Sequence, residues 1–296
     1  MKYAPALFAI AALLVWEVAV DVAQIPSYLV PAPSTIVAAF MADPSGLLWS
    51  LASTLLVTFA ALVVAALLGV LLALAIASSR LLAAAIQPWA VVLQVTPIVA
   101  IAPLIIVWVG DPFASLVVCA TIVAFFPVFA NTAAGLASAP TELADLFRLY
   151  GASRLATLRL LRLPAAVPYF LSGLRISGGL ALVGAVVAEF VAGSGGFASG
   201  LAYRIMEAGY RLQVPRMFAA LVLLSLAGIA INFGLGAFAA MVMVIISILP
   251  VNSLNRRPPL PSPAKSGRRA PPSSTPRAHR ATGCGELYRN HRAAGR

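Results

Sequence analysis

Residues 50–76 read SLASTLLVTFAALVVAALLGVLLALAI, a run with no charged residue in it. A helix needs about 20 mostly apolar residues to cross the hydrocarbon core of a bilayer, and this run exceeds that length. Composition agrees: 61% of the 296 residues are hydrophobic and 10% are charged. A mean hydropathy of +0.98 is far above what a water-soluble globule carries. The chain belongs in a membrane.

Working outward from 50–76, further apolar runs lie at about residues 4–20, 83–109, 114–137, 171–193 and 217–249, each bounded by Pro, Gly or charge. The spacing predicts about six transmembrane helices in an all-α, polytopic bundle occupying residues 1–250. Membrane β-strands would be shorter and polar at every second position. That alternation is absent.

Charge gives the orientation, because Lys and Arg gather in short loops on the cytoplasmic side. With the amino terminus inside, Lys2, Arg80, Arg148, Arg154, Arg159, Arg162 and Arg175 are cytoplasmic, while Asp21, Asp43 and Asp111 face out. Arg204, Arg211 and Arg216 are the outward exceptions, in a segment that also holds Glu207. Lys2 ahead of APALFAIAALLVW has the outline of a cleaved signal peptide, but the apolar run continues through Glu17 to Val20 without a small-residue cleavage site, so the first span is expected to be retained.

The formal net charge of +11 is not spread evenly. Residues 251–296 hold ten basic residues and one acid, Glu286. This Pro-, Ser- and Arg-rich stretch has no apolar periodicity and reads as a disordered basic tail. Nucleic-acid binding would need aromatics interleaved with the arginines, and only Tyr288 is available. Cys119 and Cys284 form no ligand pair, and His279 and His291 are both in the tail. Neither a disulfide framework nor a metal site is expected.

The charge-poor body has one conspicuous exception, TELADLFRLYGASRLATLRLLRLPAAVP at residues 141–168. Leu143, Leu146, Phe147 and Tyr150 fall on one helical stripe, with Glu142, Asp145 and Arg148 on other faces. Thr141 is placed to cap this helix. Gly151 breaks it without a Cβ penalty, a second helix restarts, and Pro164 and Pro168 are expected to end that one. The result is a cytoplasmic hairpin of two short amphipathic helices. Its apolar stripe needs a cover, either anionic lipid or a groove on a soluble partner.

These residues resemble the integral membrane subunits of binding-protein-dependent ABC importers. The signature of that family starts with an acid, reaches a glycine after five residues, an aliphatic residue after nine more, and ends in Leu-Pro. Here Asp145, Gly151, Leu161, Leu163 and Pro164 stand at those positions, with Leu146 and Phe147 where the family usually has alanines and Asp where it usually has Glu. The segments LVPAPSTIVAAF, QVTPIVAIAPLIIVWVGD, FFPVFANTAAGL and AEFVAGSGGFASGLAYRI look like the nitrate, sulfonate and taurine branch, so residues 25–235 are covered. EAGYRLQVPRMFAAL is closer to members that carry thiamine-pyrimidine or riboflavin-type precursors.

The resemblance implies a type I importer permease fold in the bacterial plasma (inner) membrane, with no catalytic residue in this chain. It implies a second permease copy, two ABC ATPase subunits and an extracytoplasmic binding protein as partners, and no nucleic acid. ATP and Mg would be bound by the partner ATPase. An independent absence agrees, because neither Lys2 nor Lys265 follows the glycine-rich loop that a phosphate site needs. The ATPase-coupling residues are then Glu142, Asp145, Gly151, Ala152, Leu161, Leu163 and Pro164.

Residues for the pathway or its gates are Pro97 and Pro103, which interrupt the third span, and Phe126 and Asn131 in AFFPVFAN, where Asn131 has the chemistry to bond across helices. Glu189 completes the set, because an acid near the end of a span is costly; it either pairs with an arginine such as Arg204 or snorkels at the outer interface. A stand-alone secondary transporter or channel would carry acids or histidines at mid-span, and an intramembrane enzyme would carry a nucleophile with its base. The spans show neither.

Overall fold

In a computed structural model, residues 3–193 and 199–248 are described, the side chains of Pro5, Ala6, Arg80 and Ile248 excepted. The basic stretch 251–296 lies outside them, as do Gly195 and Gly196. Eleven α-helices make up the described residues: α1 (Ala4–Val22), α2 (Pro33–Ala42), α3 (Pro44–Ser78), α4 (Arg80–Val95), α5 (Ile98–Val109), α6 (Pro112–Ala137), α7 (Thr141–Leu149), α8 (Arg154–Thr157), α9 (Leu163–Ala192), α10 (Leu201–Tyr210) and α11 (Val214–Ile248). A π-helical turn, Leu158–Arg162, links α8 to α9.

Four segments are long and apolar enough to cross a bilayer: α3, α6, the run Arg154–Ala192 through α9, and α11. The expected span 83–109 is a broken element, with α4 and α5 meeting at 103°. Pro97 is the N-cap of α5 and Thr96 the extended C-cap of α4; a residue before proline is pushed out of the helical region. Counted as one span, the pair is a fifth. The expected first span forms α1, 19 residues and about 28 Å long, but it is not among these helices, so four or five spans stand where six were expected. Pro103 does not interrupt anything, because α5 continues through it.

The bundle is built around α6 and α9, where half and 44% of the apolar window are buried, against 6% for α11. Small residues bring the two helices together. A Cβ on Gly173 would lie 2.7 Å from the Pro127 carbonyl oxygen, and one on Gly184 2.8 Å from the Cα of Ala120. Between them Ser177 donates its hydroxyl to the Ala124 carbonyl at 2.6 Å. In lipid, where hydrophobic exclusion from water does not drive helix pairing, such close backbone approach supplies the dispersion and hydrogen bonding that does. Phe125 and Phe129 stack 5.6 Å apart beside this seam.

The acids of the inter-span loops cap helices. Asp43 accepts from Gly46 N–H at 2.9 Å at the start of α3, and Asp111 from Ala114 N–H at 2.7 Å at the start of α6. Each precedes a proline at the first helical position, which combines a side-chain cap with a residue that has no N–H to satisfy. Asp43 also takes an ion pair from Arg216 at 2.5 Å, tying the start of α11 to that of α3.

Candidate functional site

At one end of the bundle, the hairpin starts with α7. Its N-cap is Pro140, with no side-chain cap, so Thr141 is the first helical residue and not the expected cap. The helix ends in a Schellman arrangement: Ala152 N–H reaches the Phe147 carbonyl at 2.9 Å and Gly151 N–H the Arg148 carbonyl at 3.0 Å. Gly151 has φ +67° and open space around its missing Cβ. The left-handed backbone, not crowding, is what requires glycine there.

No residue of α7 is buried. Glu142 and Asp145 are exposed, and Asp145 pairs with Arg148 at 3.3 Å in solvent, a bond of little energetic weight. Leu149 and Tyr150 are 85% and 83% exposed, and Leu143 and Leu146 more than 40%. The second limb differs. Ser153 caps α8 by accepting from Ala156 N–H at 3.1 Å. Leu161 is buried, and Leu158 and Leu163 pack on the core cluster that includes Phe129 and Leu136. One limb is anchored and the other stands free.

Pro164 and Pro168 do not end the second helix, as the sequence led us to expect; α9 runs from Leu163 through both prolines to Ala192. Pro164 has no N–H and its ring would press on the carbonyl four residues back. The π turn absorbs this. Leu163 N–H bonds to Leu158, five residues back, and the register shift accommodates the proline.

At the opposite end lies Glu189, 3% exposed. One carboxylate oxygen, Oε2, accepts the Ala202 N–H at 3.0 Å and lies 3.2 Å from the Thr54 hydroxyl. Thr54 in turn accepts from Leu201 N–H at 2.9 Å. Gly200, the N-cap of α10, offers no side-chain cap of its own, and a Cβ there would collide with the Glu189 carboxylate. Glu189 therefore caps α10 from another helix and meets the positive end of its dipole. Its second oxygen, Oε1, has no partner.

The expected ion pair between Glu189 and Arg204 is not formed. Arg204 bonds Ser50 at 3.1 Å and pairs with Glu207 at 3.0 Å, and Glu207 also holds Arg211 at 2.9 Å. Nor does Glu189 snorkel, since it is buried. The same device recurs at α2, where Glu17 of α1 accepts from Ser34 through both its backbone N–H and its hydroxyl, at 3.0 and 2.5 Å.

Asn131 does not reach across helices. Its amide donates to the Pro127 carbonyl of its own helix at 2.8 Å, and Gly173 packs against its Cβ, where a side chain on residue 173 would collide. Phe126 lines a cavity between α3, α4 and α6; Pro97, Pro103, Asn131 and Glu189 line neither it nor a neighbouring cavity between the same helices. Sequence reading missed Ser50, Thr54 and Thr58. Their signal was a polar stripe at four-residue spacing in an uncharged span, and all three are fully buried.

Residues 65–257 match the family described as binding-protein-dependent transport system inner membrane component. The chain is 36% identical to a probable ABC transporter permease protein of Haemophilus influenzae, over 75% of this chain and 89% of that one. It is 32% identical to the formylaminopyrimidine transport permease protein ThiX of Halalkalibacterium halodurans, over 76% and 88%. Permeases named for riboflavin, aliphatic sulfonates and nitrate also match, so both the branch and the subgroup read from the sequence are matched. Among solved structures, an amino acid ABC transporter with histidines aligns with a TM-score of 0.56 at 20% identity, over 68% of this chain and 96% of that one, which shows the type I permease fold.

Proposed function

The chain belongs to the binding-protein-dependent transport system inner membrane components and is an ABC transporter permease subunit, and from that premise we propose that it builds the pathway of an importer whose ATP is hydrolysed elsewhere. Two copies form the pathway between them. A soluble ATPase, which holds the ATP and Mg, docks on each hairpin at residues 141–164, and an extracytoplasmic binding protein delivers cargo at the end where Glu189, Arg204 and Arg211 lie. The amino terminus and the hairpin face the cytoplasm across the bacterial plasma membrane.

The observation that carries this reading is the division of the hairpin into an anchored and a free limb. Apolar side chains on α7 stand in solvent, while Leu161 and Leu163 fix the other limb to the core helices. A push on α7 is thereby delivered to α9 and its partner α6. Closure of two ATPases would draw two such hairpins together and bias the bundle from inward-facing to outward-facing. Cargo favours one of those states, so effects at the two ends are reciprocal.

The relative named for formylaminopyrimidine supports a small organic solute, with anions of the sulfonate or nitrate type as the neighbouring class. The test is a disulfide cross-link between Leu149→Cys and a cysteine placed on the ATPase encoded with this permease. A nucleotide-sensitive cross-link in native membranes supports the reading. Copurification of the two chains without any cross-link from α7 overturns the docking site.

A further inference from the structure

Two cavities open between α3, α4 and α6. The first, about 440 Å³, is lined by Leu, Ile and Phe with Thr121 as its single polar residue. The second, about 490 Å³, lies toward the hairpin end and is lined by Arg162, Gln87, Phe126, Phe129 and Ala133, with further apolar residues such as Ala73. No acid lines it. Phe126 and Phe129 are tilted at 59° with centroids 6.5 Å apart, forming one wall.

Arg162 is half-buried and, among the described residues, no side chain or carbonyl accepts from its guanidinium. This separates it from the other partly buried arginines, Arg204 and Arg216, which hold Glu207 and Asp43. A guanidinium carries five donors in a rigid plane that matches a carboxylate, sulfonate or phosphate. Held beside an apolar cavity and only partly in water, it gains a charge-assisted hydrogen bond if something anionic meets it. The volume is within the range of small-molecule sites, about 300–1,000 Å³.

We propose that this cavity binds a small organic anion, with its charged group on Arg162, its compact apolar body against Phe126, Phe129 and Ala133, and the Gln87 carboxamide fixing a neutral polar edge. Arg162 is the last residue of the π turn, so an anion held there braces the joint between the hairpin and α9. The binding claim stands without the transport reading; that the anion is cargo arriving at the cytoplasmic end rests on it. A phosphate-bearing lipid headgroup offers the same charge, and the proposal commits to the free solute.

The test uses the assembled transporter in phosphatidylcholine nanodiscs, carrying Ala133→Cys with Cys284→Ser; Cys119 is buried and out of reach. Hexanesulfonate should slow maleimide labelling of the new thiol saturably, and hexan-1-ol, with the same chain and no charge, should not. Arg162→Gln should raise the half-protecting concentration roughly ten- to hundredfold, the size expected for lost hydrogen bonds to a charged group. Equilibrium dialysis of labelled hexanesulfonate against the chain without the cysteine gives the same comparison should Ala133→Cys fail to assemble.

Equal protection by alcohol and sulfonate overturns the site, as does an Arg162→Gln variant that binds as before. Protection that appears with phosphatidylglycerol and no added sulfonate assigns the cavity to lipid and overturns the solute. Because labelling and dialysis read occupancy, failure here with transport intact sinks this site alone, and loss of transport leaves the binding result standing.

Discussion

Glu189, near the end of α9, accepts the backbone N–H of Ala202, the second residue of α10, at 3.0 Å. An acid this deep in an apolar bundle is thus a cap for another helix. Replacing it with Ala should leave the Ala202 N–H unpaired, at about 1–3 kcal/mol, while the Thr54 hydroxyl keeps the Ser50 carbonyl and the Leu201 N–H. Glu189→Gln keeps an acceptor and should cost less. Thermal unfolding of the purified assembly checks the order; equal melting temperatures for both variants would show that the cap contributes nothing.

The same junction predicts coupling between Gly200 and Glu189. Gly200→Ala alone should destabilise, because its Cβ meets the carboxylate. In a Glu189→Ala background the methyl has room, so the second substitution should cost less than the first did alone, with an interaction of about 0.5–3 kcal/mol. A double-mutant cycle on unfolding measures it, and additive costs would mean that the collision relaxes freely.

Gly151 sits at φ +67° in open space, so its substitutions should rank by backbone cost alone. Asn tolerates the left-handed region, Ala pays about 1–2 kcal/mol, and β-branched Val more. Transport-coupled ATPase activity should fall in the order Gly, Asn, Ala, Val while membrane insertion stays constant. Full coupling in Gly151→Val would remove the hairpin from the mechanism.

Leu149 is 85% exposed. Leu149→Ser should change stability by no more than about 0.5 kcal/mol yet weaken copurification of the ATPase. Loss of the folded permease instead would mean that α7 packs on the bundle, against the geometry described above.

The membrane class, the all-α character and the hairpin with its glycine break were legible in the sequence, because each rests on local quantities; the count of spans was not, since four or five stand where six were expected. An uncharged run such as 50–76 can only be lipid-facing or buried, and a Gly between two amphipathic patterns marks a left-handed turn whatever surrounds it. The Asp43-Pro44 and Asp111-Pro112 caps are equally local, but the sequence reading used these acids only as outward charges and did not see them as caps.

Tertiary structure alone decided the rest. Whether Pro164 ends a helix depended on a π turn, a register shift that no residue type announces. The partner of Glu189 depended on which backbone N–H groups the fold left open within 3 Å: α10 presents its unsatisfied N–H groups to the carboxylate, while Arg204 is already held by Ser50 and Glu207. Charge in a sequence gives the need for a partner, and only the packed chain, through the few ångströms over which a hydrogen bond forms, says which one meets it.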